Sequence, residues 1–542
     1  MIKDRKGPLE HLNKKLKKFW SYDYLKMSSV YFRQKLLCAI LLAINVTLSV
    51  LSIVYYRYWY IFIVPLSVAT IFNCFCVLSI VAVRLYELVF PRTLSEVTES
   101  KSLAFLVPCY NETRGELLKT LVSLTYQSDI DIHKRAMFIV CDGKVKGTDS
   151  DKTTDVILRD ILRGECGLNA FTTGEVVFRS AYKTWSGEPN DLEIVYGNIA
   201  GVPFVCLIKE NNVGKRDSLV LLRSLLYNYT RSMVNNDVSD EFQRFFSSFC
   251  ATGGFSGFDY VIGTDADTEF ELDCSAKLVR EIDWDPSTHG VVGFVEVSRD
   301  SNQWSFWTVY QRTEYIVAQS LRRLQQSLVT KKVSCLSGCV QILRVSEETC
   351  GKKTLDAFNR YPTESDNVWT HILSFASEDR NHVCQMLHLY PYVKTRQCLG
   401  ALAYTDVPQT ISVFRSQRRR WSLGANSNDI LLCFKSGINW FERIGAFCNI
   451  LTYSLCLFIF VATITFIYSI IVHPTLMMLY LSVIIFIPIS YEILIVVWYP
   501  FGSFGERVQF LFGLVLYLVL SPVINLLIAL YSLSNVDCFK WG

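Results

Sequence analysis

Alternate carboxylates at the end of an apolar run are the first chemistry this sequence offers. Asp265 and Asp267 flank Ala266, directly after the run Tyr260–Gly263. Two acids so placed can share one hard divalent cation with a diphosphate, because such a cation keeps open positions for phosphate oxygens. Alone the pattern is weak, since solvated loop acids are commoner. It gains weight from Asp142, which ends another apolar run, and from Lys215-Arg216, cations suited to holding phosphate. Two further clusters follow. Ser377-Glu378-Asp379-Arg380 comes after the apolar run His371–Ala376, and Asp379 taken alone reads first as an ion-pair partner of Arg380. Gln417-Arg418-Arg419-Arg420-Trp421 comes after an amphipathic run through Ile411, Val413 and Phe414. It reads either as a cationic clamp on a leaving diphosphate, with Trp421 as a sugar-stacking face, or as a membrane-surface stripe with Trp421 as an interfacial anchor.

The elements that must position these residues alternate. Leu103–Val107, Ala136–Cys141, Val202–Ile208 and Tyr260–Gly263 are short apolar runs that predict buried strands. Leu117, Leu121 and Leu124 recur at helical spacing, and Gly214–Tyr229 predicts a helix through Leu219, Leu222 and Leu226. Strand–helix alternation predicts an α/β domain, a parallel sheet with helices on both faces. Ligands bind beyond the carboxyl ends of such strands, where Tyr110-Asn111-Glu112, Asp142 and Asp265/Asp267 sit. No GxGxxG follows a strand and no GxxxxGK[ST] is present, which excludes a dinucleotide fingerprint and a P-loop. The 18 Cys are scattered. Cys335, Cys339 and Cys350 lie near one another, but no His or second CxxC completes a zinc set. Net charge is only +4, which argues against a nucleic-acid partner.

Charged residues make up 19% of the chain, below the typical ~25%. The shortage is local. Leu36–Tyr56, Trp59–Val83, Ile444–Val472 and Val508–Ser534 hold no charge, and Pro474–Tyr499 holds only Glu492. A bilayer crossing needs about 20 apolar residues. These runs predict two spans within residues 36–86 and three, or four, within 444–534. Between them lies a polar domain, 87–410, followed by an amphipathic interface region, 411–443. Leu36–Tyr56 is too long and starts too late for a cleaved signal peptide. The first 35 residues carry ten Lys/Arg, so the positive-inside rule places them, and the polar domain, in the cytosol. The expected location is the plasma membrane.

Seven motifs in order resemble the processive family-two glycosyltransferases, and most closely the chitin synthases. They are Val107–Glu112 (VPCYNE), Cys141–Gly143 (CDG), Asn211–Ser218 (NNVGKRDS), Thr264–Asp267 (TDAD), Leu336–Cys339 (LSGC), Ser377–Arg380 (SEDR) and Ser416–Trp421 (SQRRRW). The C-terminal Asn535–Gly542 resembles the family's switch segment, with Trp541. The chain departs from the pattern at Ser337, Val340 and Phe539-Lys540. The resemblance implies a nucleotide-sugar-binding (Rossmann-like) domain inserted between transmembrane helices. It implies transfer of GlcNAc from UDP-GlcNAc to the 4-hydroxyl of a growing β-1,4 chitin chain, with inversion, and export through the protein's own channel. Asp379 would be the base. Tyr110, Glu112 and Asp142 would bind uridine. Asp267 and Asp265 would hold Mn²⁺ or Mg²⁺ on the diphosphate, with Lys215, Arg418 and Arg420 as further cations. Gln417, Trp421, Gly338, Cys339 and Glu378 would line the acceptor side, and Trp541 would touch the donor. The implied partners are UDP-GlcNAc, the growing chain and the lipid bilayer; a homo-oligomer is compatible with this reading. The nearest rival is a hyaluronan or cellulose synthase, against which the QRRRW and EDR forms weigh. Two spans before and three after would leave Gly542 outside the cell, in conflict with a switch that touches UDP. Either Ile444–Val472 or the Pro488 break hides a further turn, or Trp541 is no switch.

Overall fold

The computed structural model describes residues 22–91, 98–147, 150–164, 178–300, 302–363, 366 and 368–535. Trp541 lies outside the described residues.

Two long apolar helices come first, α1 (Tyr22–Val54) and α2 (Trp59–Val89). The central region is then built on ten strands. These are β1 (Ser102–Cys109), β2 (Lys134–Cys141), β3 (Phe178–Lys183), β4 (Pro189–Ile199), β5 (Val202–Lys209), β6 (Tyr260–Gly263), β7 (Thr268–Phe270), β8 (Thr288–Val297), β9 (Gln341–Arg344) and β10 (Lys394–Thr405). They form one sheet in the order β3-β4-β5-β2-β1-β6-β9-β8-β10-β7. The four apolar runs read from the sequence are its central parallel strands β1, β2, β5 and β6.

Those strands are continuous apolar runs because both of their faces are covered. Phe105, Met137 and Ile139 face a core shared with Leu117 and Leu121. Leu106, Phe138 and Val140, one residue out of phase, face Leu219, Leu222 and Leu226. Full burial of a Leu or Phe side chain contributes roughly 1.5–3 kcal/mol, so both layers are strongly fixed.

Five of the helices in this region bear on the site. They are α3 (Arg114–Thr125), α4 (Lys215–Thr230), α5 (Phe306–Ala318), α6 (Val368–Phe375) and α7 (Glu378–Leu389). A long helix, α8 (Ile411–Phe434), leads away from β10. The chain ends in α9 (Trp440–Ser454), α10 (Cys456–Val472), α11 (Leu476–Trp498) and α12 (Phe504–Ser534).

The sheet is mixed rather than parallel. β4 runs against both β3 and β5, β9 against β6 and β8, and β7 against β10. β4 pairs with its chain neighbours, turning into β5 at Ala200-Gly201, whereas β7 and β9 find partners far away in sequence, which a local apolar run does not announce.

Four helical stretches are long and apolar enough to cross a membrane: Lys35–Val54, Ser67–Val89, Leu476–Trp498 and Phe504–Ser534. The apolar run 444–472 is not one straight span. It bends by 82° between α9 and α10, and this pair makes a fifth candidate if counted as one. Leu455, at the break, closes α9 and opens α10.

Candidate active site

The strands β5, β2, β1 and β6 bring their carboxyl ends to one rim. Register pairs Cys109 with Cys141, Cys141 with Ile208, and Leu106 with Gly263. Tyr110, Asp142 and Asp265 therefore leave the sheet along the same edge, the place where open α/β sheets bind ligands.

Asp142 is buried and its carboxylate is saturated. One oxygen accepts from Lys209 Nζ (3.0 Å) and the Val213 N–H (3.2 Å), the other from the Gly214 N–H (2.7 Å). Lys209, fully buried, donates also to Asp217 (2.7 Å) and Ser218 Oγ (2.8 Å). Asp217 in turn accepts from Tyr182 OH (2.5 Å) and the Trp185 N–H (2.8 Å). This network holds the turn that delivers Lys215 at the start of α4. Neither Lys209 nor Tyr182 stood out in the sequence. The available signal was a lysine closing an apolar strand.

Lys215 is the centre of the site. Its Nζ lies 2.5 Å from Asp265 Oδ1 and 3.2 Å from Glu378 Oε1. Burial works against its charge, but the carboxylates of Asp265, Asp379 and Glu378 prevail and hold the ammonium well above its usual range. Glu378 shows the reverse: burial raises it, yet Lys215 draws it below the ordinary glutamate value. Arg216, the neighbouring cation, points elsewhere. It donates to the Phe358 carbonyl (2.5 Å), the Leu373 carbonyl (2.7 Å) and Asn381 Oδ1 (3.1 Å), bracing α7 rather than facing the rim.

Asp379 is tied down at one oxygen only. Its Oδ2 accepts from the Gly338 N–H at 2.8 Å, whereas its buried Oδ1 has no hydrogen-bond partner. Burial pushes its pKa up; Glu378 and Asp265 add to this and Lys215 opposes it, for a value of about 7. Its neighbour Arg380 turns away and pairs with Asp429 of α8 at 2.5 Å, so the alternative of an Asp379–Arg380 pair does not form. Arg380 faces a polar cavity of about 170 Å³ behind the site, lined also by Arg322, Arg323, Asp429 and Glu442. At Gly338 a Cβ would stand 2.8 Å from Asp379 Oδ2 and 2.9 Å from Lys215 Nζ, so any side chain there would fill the space between Asp379 and Lys215.

Asp265 Oδ2 also accepts from Cys339 Sγ at 3.3 Å, which brings the LSGC turn to the same carboxylate. Asp267 accepts from Thr268 Oγ1 at 3.2 Å. Burial, followed by the negative charges of Asp265, Glu112 and Glu116, raises its pKa to about 7. Glu112 accepts from the Tyr110 N–H at 2.6 Å and is itself raised by burial. Asp265 and Asp267 are the residues placed to hold a cation. No group of three or more His, Cys, Asp or Glu among the described residues forms a larger metal cluster.

The helix α8 separates the QRRRW residues by face. Arg418 is buried, pairs with Glu314 of α5 at 2.6 Å, and stacks under Trp421 at 4.2 Å. Three residues apart, the two side chains share a face. Trp421 remains 42% exposed and so keeps a ring face available. Arg420 turns the other way. It feels Glu378 and Asp265, burial holds it below its ordinary value, and it forms no ion pair among the described residues. Gln417 has a buried Oε1 without a partner. The structure thus gathers Lys215, Asp265, Cys339, Gly338, Glu378 and Asp379, with Arg420 facing them. It keeps Arg418 on structural duty.

A family model described as chitin synthase matches residues 200–542. Chitin synthase 8 of Gibberella zeae is 36% identical over 521 residues, covering 93% of this chain and 76% of the relative. Chitin synthase 8 of Verticillium dahliae is 33% identical over 447 residues, covering 75% of this chain and 70% of the relative. Among solved structures, a mannosyltransferase from Pyrobaculum calidifontis in complex with GDP-Man and Mn²⁺ is 11% identical with a TM-score of 0.39. It covers 90% of this chain and 99% of its own.

Proposed function

The chain belongs to the chitin synthase family, and we propose that it transfers GlcNAc from UDP-GlcNAc to the 4-hydroxyl of a growing β-1,4-linked chain. The observation that carries this reading is Asp379: one oxygen anchored, the other unpartnered, in a buried place that sets its pKa at about 7. A base whose pKa lies near working pH is matched to accept a hydroxyl proton, a contribution of typically 10²–10⁴-fold. Asp379 Oδ1 takes the proton of the acceptor hydroxyl as its oxygen bonds to the anomeric carbon. The bond from that carbon to UDP breaks on the opposite side. One displacement inverts the centre, from an α-linked donor to a β-linked product.

Asp265 and Asp267 fit a divalent ion. They are hard oxygen donors, and Asp267, raised first by burial and then by the negative charges around it, stands where a cation would offset both. They would hold Mg²⁺ or Mn²⁺, which would supply positive charge against that developing on the diphosphate. Lys215 and Arg420 add fixed positive charge on the same side. Tyr110 and Glu112 line the uridine end of the rim, and Asp142 acts there by ordering the turn that leads to Lys215. Gly338, Cys339, Glu378, Gln417 and Trp421 face the acceptor. The polar domain lies in the cytosol of a plasma-membrane protein, and the apolar helices pass the chain outward.

The test is product formation by purified protein in detergent with UDP-GlcNAc as the only donor. With Mg²⁺ or Mn²⁺, an insoluble polymer forms that chitinase degrades and hyaluronidase does not, and chelation of the ion stops it. Simple hydrolysis with this donor, and polymer only after UDP-glucuronic acid is added, would overturn the reading.

A further inference from the structure

Ser377, two residues before Asp379, starts α7 in the left-handed region, with φ +49° and ψ 61°. An L-residue with a Cβ seldom adopts this conformation, and surrounding structure must impose it. Its hydroxyl does not cap the helix. Gly424 of α8 leaves the room it needs. A Cβ on Gly424 would stand 2.0 Å from Ser377 Oγ and 2.4 Å from Ser377 Cβ, so only glycine leaves room for the turn as built.

One helical turn further along both helices, the contact becomes polar. Asn381 donates to Asn428 Oδ1 at 3.1 Å, and Asn428 donates to the Gly424 carbonyl at 2.8 Å. Arg380 pairs with Asp429 alongside, and Asn449 of α9 donates to the second Asp429 oxygen at 3.2 Å. Asn381 and Asn428 are fully buried. Two rungs, Ser377–Gly424 and Asn381–Asn428, therefore lock the helix bearing Asp379 to the helix bearing Gln417–Trp421.

We propose that Gly424 is a positioning residue. By lacking a side chain it lets Ser377 open α7 in a left-handed turn, which sets Asp379 Oδ2 on the Gly338 N–H and leaves Oδ1 facing the acceptor. This rests on the reading of Asp379 as the base. Gly424 touches no reacting atom; it acts through Ser377.

The experiment is a cycle of variants in the full chain, with turnover and UDP affinity measured separately. Gly424→Ala pushes Ser377 aside, and kcat falls about tenfold or more, since small misplacements of catalytic groups are costly. UDP affinity, which depends on the sheet rim, changes less than about twofold. Ser377→Gly in the Gly424→Ala background removes both clashing atoms and accepts positive φ freely, so most of the lost kcat returns. Ser377→Ala in that background keeps the Cβ and gives no recovery. Ser377→Val with Gly424 intact lowers kcat from the other side, because a β-branched residue resists the left-handed turn. The proposal is overturned if Gly424→Ala keeps more than half of wild-type kcat. It is equally overturned if Ser377→Gly fails to restore kcat in a double variant that still binds UDP. If Gly424→Ala does not fold, recovery in the double variant and the loss in Ser377→Val decide. Asp379→Asn separates the two claims. Retained turnover in it removes the base, whereas a dead Asp379→Asn beside an active Gly424→Ala removes only the positioning.

Discussion

Two carboxylates of the site, Asp142 and Asp379, have opposite surroundings. Around Asp142 both oxygens are held, by a buried lysine and two backbone N–H groups. Around Asp379 one oxygen is held and the other has no partner. A buried polar atom without a partner costs about 1–3 kcal/mol. A fold that leaves one at a rim of cations and carboxylates keeps a reactive group available, whereas one that saturates it builds a brace. The contrast predicts which changes strike chemistry and which strike the fold.

The largest effect belongs to Asp379. Asp379→Asn keeps the size and the contact to Gly338 but cannot take a proton, so kcat falls on the order of 10²–10⁴-fold. UDP binding, measured by calorimetry, stays within a few-fold. Turnover above about a tenth of wild type would break the comparison from the chemical side.

Lys209 tests the other side. Lys209→Met leaves Asp142 and Asp217 buried without their cation, which costs roughly 3–5 kcal/mol. Thermal unfolding should move to a clearly lower temperature, and any UDP binding should be lost with the fold rather than by a selective drop in kcat. An unchanged transition would mean that the network is not a brace.

These two sites also show what the sequence could and could not reveal. β1, β2, β5 and β6 were legible because each is a short run of residues buried on both faces. The helix Lys215–Thr230 was legible from its leucines. The antiparallel strand β9 was not, since its partners β6 and β8 lie far back along the chain. The bend at Leu455 was marked only by the length of the run Ile444–Val472, and its position was not, because apolar residues continue on both sides of it. Asp142, Asp265 and Asp379 were visible as chemistry-bearing types, but Lys209, whose contacts separate brace from base, closes an apolar run just before Glu210 and reads as an ordinary strand-end lysine. Arg418 was grouped with Arg420 by adjacency, although helical phase alone puts Arg418 on the face of Trp421 and Arg420 on another.

That phase difference supplies the smallest effect. Arg418→Lys retains charge but loses the flat stacking surface under Trp421. KM for acceptor oligosaccharide rises a few-fold and UDP affinity is unchanged. A loss of UDP affinity instead would return Arg418 to the diphosphate.

The central claim, that Asp379 is the base, is tested most directly by the pH dependence of kcat/KM, which reports groups of the free protein. Below its pKa Asp379 is protonated and cannot accept the acceptor's proton. The rate therefore falls about tenfold per pH unit below about 7 and levels off above it. Glu378 raises Asp379 by like charge and also occupies Lys215, so Glu378→Gln removes both effects. The acid limb then moves to lower pH, by up to about one unit. A limb near 7 that moves down in Glu378→Gln is the predicted result. A flat profile, or a limb that stays or moves up in that variant, would contradict the assignment.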